Sequence, residues 1–176
     1  MRTSVRFVAL VLIALASAVT ATAQTTRAAT EGASNIPFET DTLANGKWAY
    51  PLLLGVLDDH SRLCCHAQWY LAETAENLVH GLSQALLKRG LPRALMSDNG
   101  SAMLAAETTQ GLERLGIVHE TTLPYSPYQN GKQERFWGQV EGRLLAMLEQ
   151  TPDLTLALLN EATLAWVEME YNRSEH

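Results

Sequence analysis

The sequence predicts an α/β domain built on a mixed sheet, with three strands joined antiparallel and further strands alternating with helices. Two patterns predict this. Residues 36–71 hold three strand-like runs separated only by tight turns, and from Thr74 onward helical and strand periodicities alternate, which implies right-handed crossovers and a parallel portion of the sheet. Size agrees: the roughly 140 residues after position 35, in a chain that is 47% hydrophobic, can bury one core.

The elements follow in order. Residues 36–43 read as the first strand, Asn45-Gly46 as a hairpin turn and residues 50–57 as the antiparallel partner. After a turn at Ser61-Arg62, residues 63–71 form the third strand. Thr74-Ala75-Glu76 opens a helix with Leu78, Val79, Leu82, Ala85 and Leu86 on one face, and Gly90-Leu91-Pro92 closes it. A short apolar strand, 93–97, ends against the turn dipeptide Asn99-Gly100. A helix over 102–115, a strand over 117–120 and a loop to Pro127 come next. The following helix places Phe136, Val140, Leu144, Met147 and Leu148 at core spacing, and a last helix covers 154–171.

The first 24 residues carry a different pattern. Arg2 and Arg6 precede the apolar run 7–16, and Ala21-Thr22-Ala23 supplies small residues before Gln24, which together read as a secretory signal peptide. The run is shorter than the roughly 20 residues a membrane-spanning helix needs. Residues 25–35, rich in Thr, Ala, Ser and Gly, read as a disordered spacer, which leaves 36–176 as the folded domain. Residues 36–176 hold 10 Lys plus Arg against 18 Asp plus Glu, so a broad basic surface is excluded. Cys64 and Cys65 are adjacent and cannot form an ordinary bridge, which suits a reducing cytosol. The N-terminus therefore points to export and the remainder to the cytoplasm. His60, His66, His80 and His119 lack zinc-ligand spacing.

Two carboxylates stand in settings suited to a metal. Asp98 should project from a strand end, and Glu134 from the first turn of a helix that follows a Pro/Asn/Gly loop. Acids held close together repel unless a cation lies between them, and hard oxygen donors suit Mg²⁺ or Mn²⁺.

Three sequence runs, Asp58-Asp59-His60-Ser61-Arg62, Ser97-Asp98-Asn99-Gly100 and the stretch 124–135 ending Gly131-Lys132-Gln133-Glu134-Arg135, resemble in their order the catalytic core of DDE transposases and retroviral-type integrases, on the insertion-sequence branch. The resemblance covers about three quarters of the chain. It implies a ribonuclease H-like fold, Mg²⁺- or Mn²⁺-dependent DNA strand transfer, and partners that are DNA and other subunits of the same kind. Asp98 and Glu134 match the second and third acids of that family. Asp41 is either the first acid or a surface acid of a hairpin shorter than the family's. Lys132 and Arg135 flank Glu134 and, as the resemblance suggests, would neutralise substrate phosphates, and Asn130 lies in a loop whose backbone amides can approach DNA or simply serve the turn. The resemblance also implies helix-turn-helix segments ahead of the core and further segments after the Tyr171-Asn172-Arg173 run. Their lack suggests a truncated or chimeric fragment, and an inactive remnant is the alternative to an enzyme.

Overall fold

The structure, a computed structural model, describes the backbone of residues 8–15, together with residues 51–122, 131–149, 151 and 154–175. Five strands form one sheet: β1 (Val8–Leu15), β2 (Leu52–Asp58), β3 (Cys64–Tyr70), β4 (Ala94–Ser97) and β5 (Val118–Thr121). Their spatial order is β3-β2-β1-β4-β5. β1 runs antiparallel to β2 and parallel to β4, β3 is antiparallel to β2, and β5 is parallel to β4. This is the mixed α/β sheet the sequence predicts, with an antiparallel trio and a parallel remainder.

The strand at the centre is not the expected one. The sequence predicts residues 36–43 as the antiparallel partner of β2, and they lie outside the described residues. Both edges of β2 are taken, by β1 and β3. The physical reason lies in composition. Residues 8–15 are VALVLIAL, an unbroken apolar run suited to a strand covered on both faces. Residues 36–43 carry Pro37, Glu39 and Asp41, and proline and charge are poorly placed in a central strand.

Helices cover both faces. α1 (Ala75–Arg89) begins at Thr74, whose hydroxyl accepts the Asn77 N–H at 3.1 Å, and packs Leu78, Leu82 and Ala85 with Leu54, Val56, Leu95, Met103 and Leu112. Val79, expected on that face, is 38% exposed. The helix expected over 102–115 is broken. Ala105 is extended at ψ 145°, separating α2 (Ser101–Leu104) from α3 (Ala106–Arg114), and the Thr108 hydroxyl donates to Ala102 O across the break at 2.8 Å.

On the other face lie α4 (Gly131–Gln139), a π-helical stretch (Val140–Leu145), α5 (Ala146–Leu148) and α6 (Leu156–Met169). Phe136, Val140 and Leu144 are buried as expected, with Trp69, Leu159 and Trp166. Met147 is not, being 59% exposed, whereas Leu145 is buried. The wider π turn inserts an extra residue into the helical period, so the buried stripe moves by one position beyond it.

β3 is an edge strand, and α6 together with the short 3-10 turn Tyr171–Arg173 after it shields it chemically. Asn160 accepts the Trp69 N–H at 2.7 Å and donates to Trp69 O at 3.2 Å; Asn172 does the same for Cys64, at 2.8 and 3.0 Å. Two amide side chains thus stand in for a further strand on an edge that would otherwise invite one. Lys88 and Arg89 of α1 reach Glu168 of α6, tying the two helical layers together past this edge.

Candidate active site

β4 delivers Asp98. Ser97 is buried at the strand end, and its hydroxyl meets His119 Nε2 of β5 at 2.9 Å and Asp98 O at 2.9 Å. Thr122 N–H donates to Ser97 O at 2.9 Å, and Asn99 Nδ2 donates to Thr122 O at 3.1 Å, so the strand end is held from both sides. Burial holds His119 below its ordinary value, because desolvation disfavours the charged ring. The Asp98 carboxylate, half-buried, accepts the Gly100 N–H on Oδ1 at 3.0 Å. The Asn99-Gly100 turn read from sequence is therefore what fixes its direction.

A second carboxylate, that of Glu73, approaches the same turn. A Cβ at position 100 would lie 3.0 Å from Asp98 Oδ1 and 3.0 Å from Glu73 Oε1, so those oxygens are no more than twice that distance apart. A side chain at position 100 would press on both carboxylates, which would have to move aside by a few tenths of an ångström. Glu73 follows β3 directly, and only the folded sheet brings that turn beside the end of β4.

Glu134 lies in the first turn of α4, exposed, as expected. Lys132 is joined to the Asp59 carboxylate, anchoring the start of α4 to the β2–β3 turn. Arg135 is exposed on the same turn. Asp41 and Asn130 lie outside the described residues. The Asp58–Arg62 run is a structural turn: Asp58 N donates to Leu63 O at 2.8 Å, Asp58 Oδ2 accepts the Ser61 N–H at 3.0 Å, and Arg62 adopts φ 66°. Asp59 adds a 3.6 Å ion pair to Arg62.

The oxygen-only donors Asp98 and Glu134 are of the type a hard divalent cation takes, and Mg²⁺ is often held by one or two carboxylates with water. Among the described residues, no three acidic, His or Cys side chains converge closely enough to hold a metal. β1, beside β4, contributes none, since residues 8–15 contain no Asp or Glu.

Comparison with known proteins places this geometry. The fold is that of ribonuclease H-like integrase cores. The structure is similar to a chain of the simian T-cell lymphotropic virus intasome in complex with PP2A regulatory subunit B56 gamma, with TM-score 0.69 and 19% identity, covering 94% of this chain and 49% of that one. It is similar to the HTLV-2 integrase catalytic core domain in complex with magnesium, trimeric form, with TM-score 0.60 and 18% identity over 91% of this chain and 84% of that one. The BIV integrase catalytic core aligns with TM-score 0.57 and 27% identity over 70% of this chain and 78% of that one.

Residues 34–127 match the integrase core domain family, and the chain belongs to it. Among curated relatives, the Gag-Pro-Pol polyprotein of human T-cell leukemia virus 3 (strain Pyl43) is 38% identical over 63 residues, 36% of this chain, and that of human T-cell leukemia virus 2 is 32% identical over 84 residues, 48% of this chain. The chain spans only 4% and 6% of the length of these polyproteins. The family match includes the segment carrying Asp41, whereas the described sheet fills the position between β2 and β4 with Val8–Leu15.

Proposed function

We propose that this chain is a DNA strand-transfer core, acting by metal-dependent hydrolysis of a phosphodiester and attack of the freed 3′ hydroxyl on a target strand. The observation that carries the reading is Asp98 at the end of a central parallel strand, oriented by the Gly100 amide, in a chain of the integrase core family. Asp98 and Glu134 are the proposed Mg²⁺ or Mn²⁺ ligands, with Asp41 as the first acid of the set. The ion, when bound, supplies positive charge to the phosphate and acidifies the attacking hydroxyl. The protein's part is positional: Ser97, His119 and Gly100 hold Asp98 in place, and Lys132 and Arg135 offset the negative charge of the strand. DNA and further copies of this chain are the proposed partners.

A second reading, an inactive core, is favoured by one observation: the strand between β2 and β4 carries no acid. Strand transfer on pre-nicked DNA with Mn²⁺ separates the two. Joining that is lost in both Asp41→Ala and Asp98→Ala establishes the enzyme. Joining that survives Asp41→Ala removes it as a ligand, and no joining by the unsubstituted chain establishes the inactive core.

A further inference from the structure

We propose that the groove between the β2–β3 turn, the first turns of α4 and Tyr171 is a seat for a backbone phosphate of DNA, beside the helical turn that carries Glu134. The inference rests on the DNA reading above and adds to it a place where the strand is held.

Arg62, Lys132, Arg135, Phe136, Gln139 and Tyr171 line a cavity of about 180 Å³. One water needs only about 10–15 Å³ of such space, so a hydrated phosphate group enters with room to spare. Three of the lining residues are cations. The Asp59 carboxylate, which pairs with Lys132 and Arg62, offsets one of them and leaves a surplus of two positive charges. On a chain of net charge −6, such a surplus is the place an anion is drawn to. Lys132 and Arg62 keep 38% and 36% of their side-chain surface exposed despite these pairs, so their outer donors remain accessible.

The walls are already in position. The Tyr171 hydroxyl donates to Arg62 O at 3.1 Å, which fixes the left-handed turn residue, and Phe136 packs edge-on against the Tyr171 ring at 5.0 Å and 87°. Arg62 Nη1 donates to Asp59 O, which ties the guanidinium to the β2–β3 turn. Ordering these groups therefore costs little at the moment of binding. The start of α4 also lines the cavity, and its backbone N–H groups add positive potential to that of the side chains. Gln139 closes the groove one turn beyond Arg135, where an added charge changes the field without breaking any described ion pair.

Position 139 therefore supplies the test on the full chain, with circular dichroism to confirm an unchanged fold. Binding of a short fluorescent DNA duplex is measured by anisotropy at several salt concentrations, alongside the melting shift produced by inorganic pyrophosphate. Gln139→Glu should weaken duplex binding about three- to tenfold and lower the salt slope by about 0.9, the value of one phosphate contact, and Gln139→Lys should move both quantities the other way. Pyrophosphate should stabilise the unsubstituted chain and not the Gln139→Glu variant. Duplex affinity and slope equal in all three proteins would overturn the groove while leaving the DNA reading in place. A pyrophosphate response lost in Gln139→Glu, with no duplex binding by any of the proteins, would overturn DNA as the occupant and with it the DNA reading, leaving only an anion site.

Discussion

Single residues in this fold do their work through partners that sequence distance hides. Asn160 and Asn172 lie 91 and 108 residues from the backbone groups they satisfy on β3, so only the folded chain shows why amides stand there. Asn172→Ala would leave Cys64 N–H and C=O without their bonds, and a part-buried orphan of this kind costs about 1–3 kcal/mol. Urea denaturation should show that loss at unchanged slope; a midpoint equal to the parent's would rule out the strand-substitute role. Asp98 was legible from sequence because its determinant, the Asn99-Gly100 turn, is local. Glu73 was not, because nothing nearby in the chain announces its approach to Gly100. His66 and His119 lack zinc-ligand spacing, and burial holds both below the ordinary histidine value. The sign follows from which state takes the proton first. As pH falls below about 6.5 the unfolded chain protonates and the folded one resists, so stability present at neutral pH is lost between the unfolded and the folded values. A melting temperature that falls from pH 7.5 to pH 5.5, and falls less in His119→Gln, is the expected result. An identical fall in the variant would assign the effect to other groups.

Elements were legible where one local signal decided them. Thr74 with Gly90 bounds α1, and alternation with turns bounds β2 and β3, so these agree with the sequence to within a residue or two. Where several segments suit one position, local signals do not suffice. The position beside β2 and β4 illustrates this: residues 36–43 fit a hairpin by turn chemistry, but Val8–Leu15 forms seven pairs with β2 and three with β4, a choice made by the whole sheet. The same limit explains Met147, turned outward by a π-helical stretch that no hydrophobic pattern signals. Leu12 is paired with Gly55 on β2 at the middle of β1. Leu12→Pro removes a ladder donor and forces φ near −65° in a strand that has neighbours on both sides, and the expected loss is about 3 kcal/mol or more. Hydrogen exchange provides the direct check: amides of residues 9–15 should be protected in the parent and exposed in the variant. Fast exchange in the parent would remove Val8–Leu15 from the sheet.

At the scale of the whole molecule, one segment is given two incompatible uses. The charge and apolar pattern of residues 1–24 reads as a cleavable export signal, and the sheet uses eight of those residues as its central strand. A chain cut after Ala23 cannot keep β1, so export with processing and the described sheet exclude one another in a single molecule. Loss of β1 would leave β2 and β4 each without a partner on one side, exposing unpaired backbone groups in the middle of the fold. It would also leave the position beside Asp98 open to another strand of the chain, and on the proposed function the segment bearing Asp41 is the one able to complete the acidic set. Two forms of the protein should therefore be compared, the unprocessed chain held in the cytoplasm and the product released after export, each identified by intact mass. If β1 is the central strand in both folding and function, the processed form should melt lower by roughly 6–12 °C, taking about 3 kcal/mol at about 2–4 °C for each kcal/mol. If residues 36–43 replace it, the processed form should instead retain its melting temperature and gain a stabilisation by Mn²⁺ that Asp41→Asn abolishes, since an ion that binds only the folded state raises its stability by mass action. Retained melting with no Mn²⁺ response would show that the sheet closes without Val8–Leu15 and that the core holds no metal, which would establish the inactive reading for the processed form.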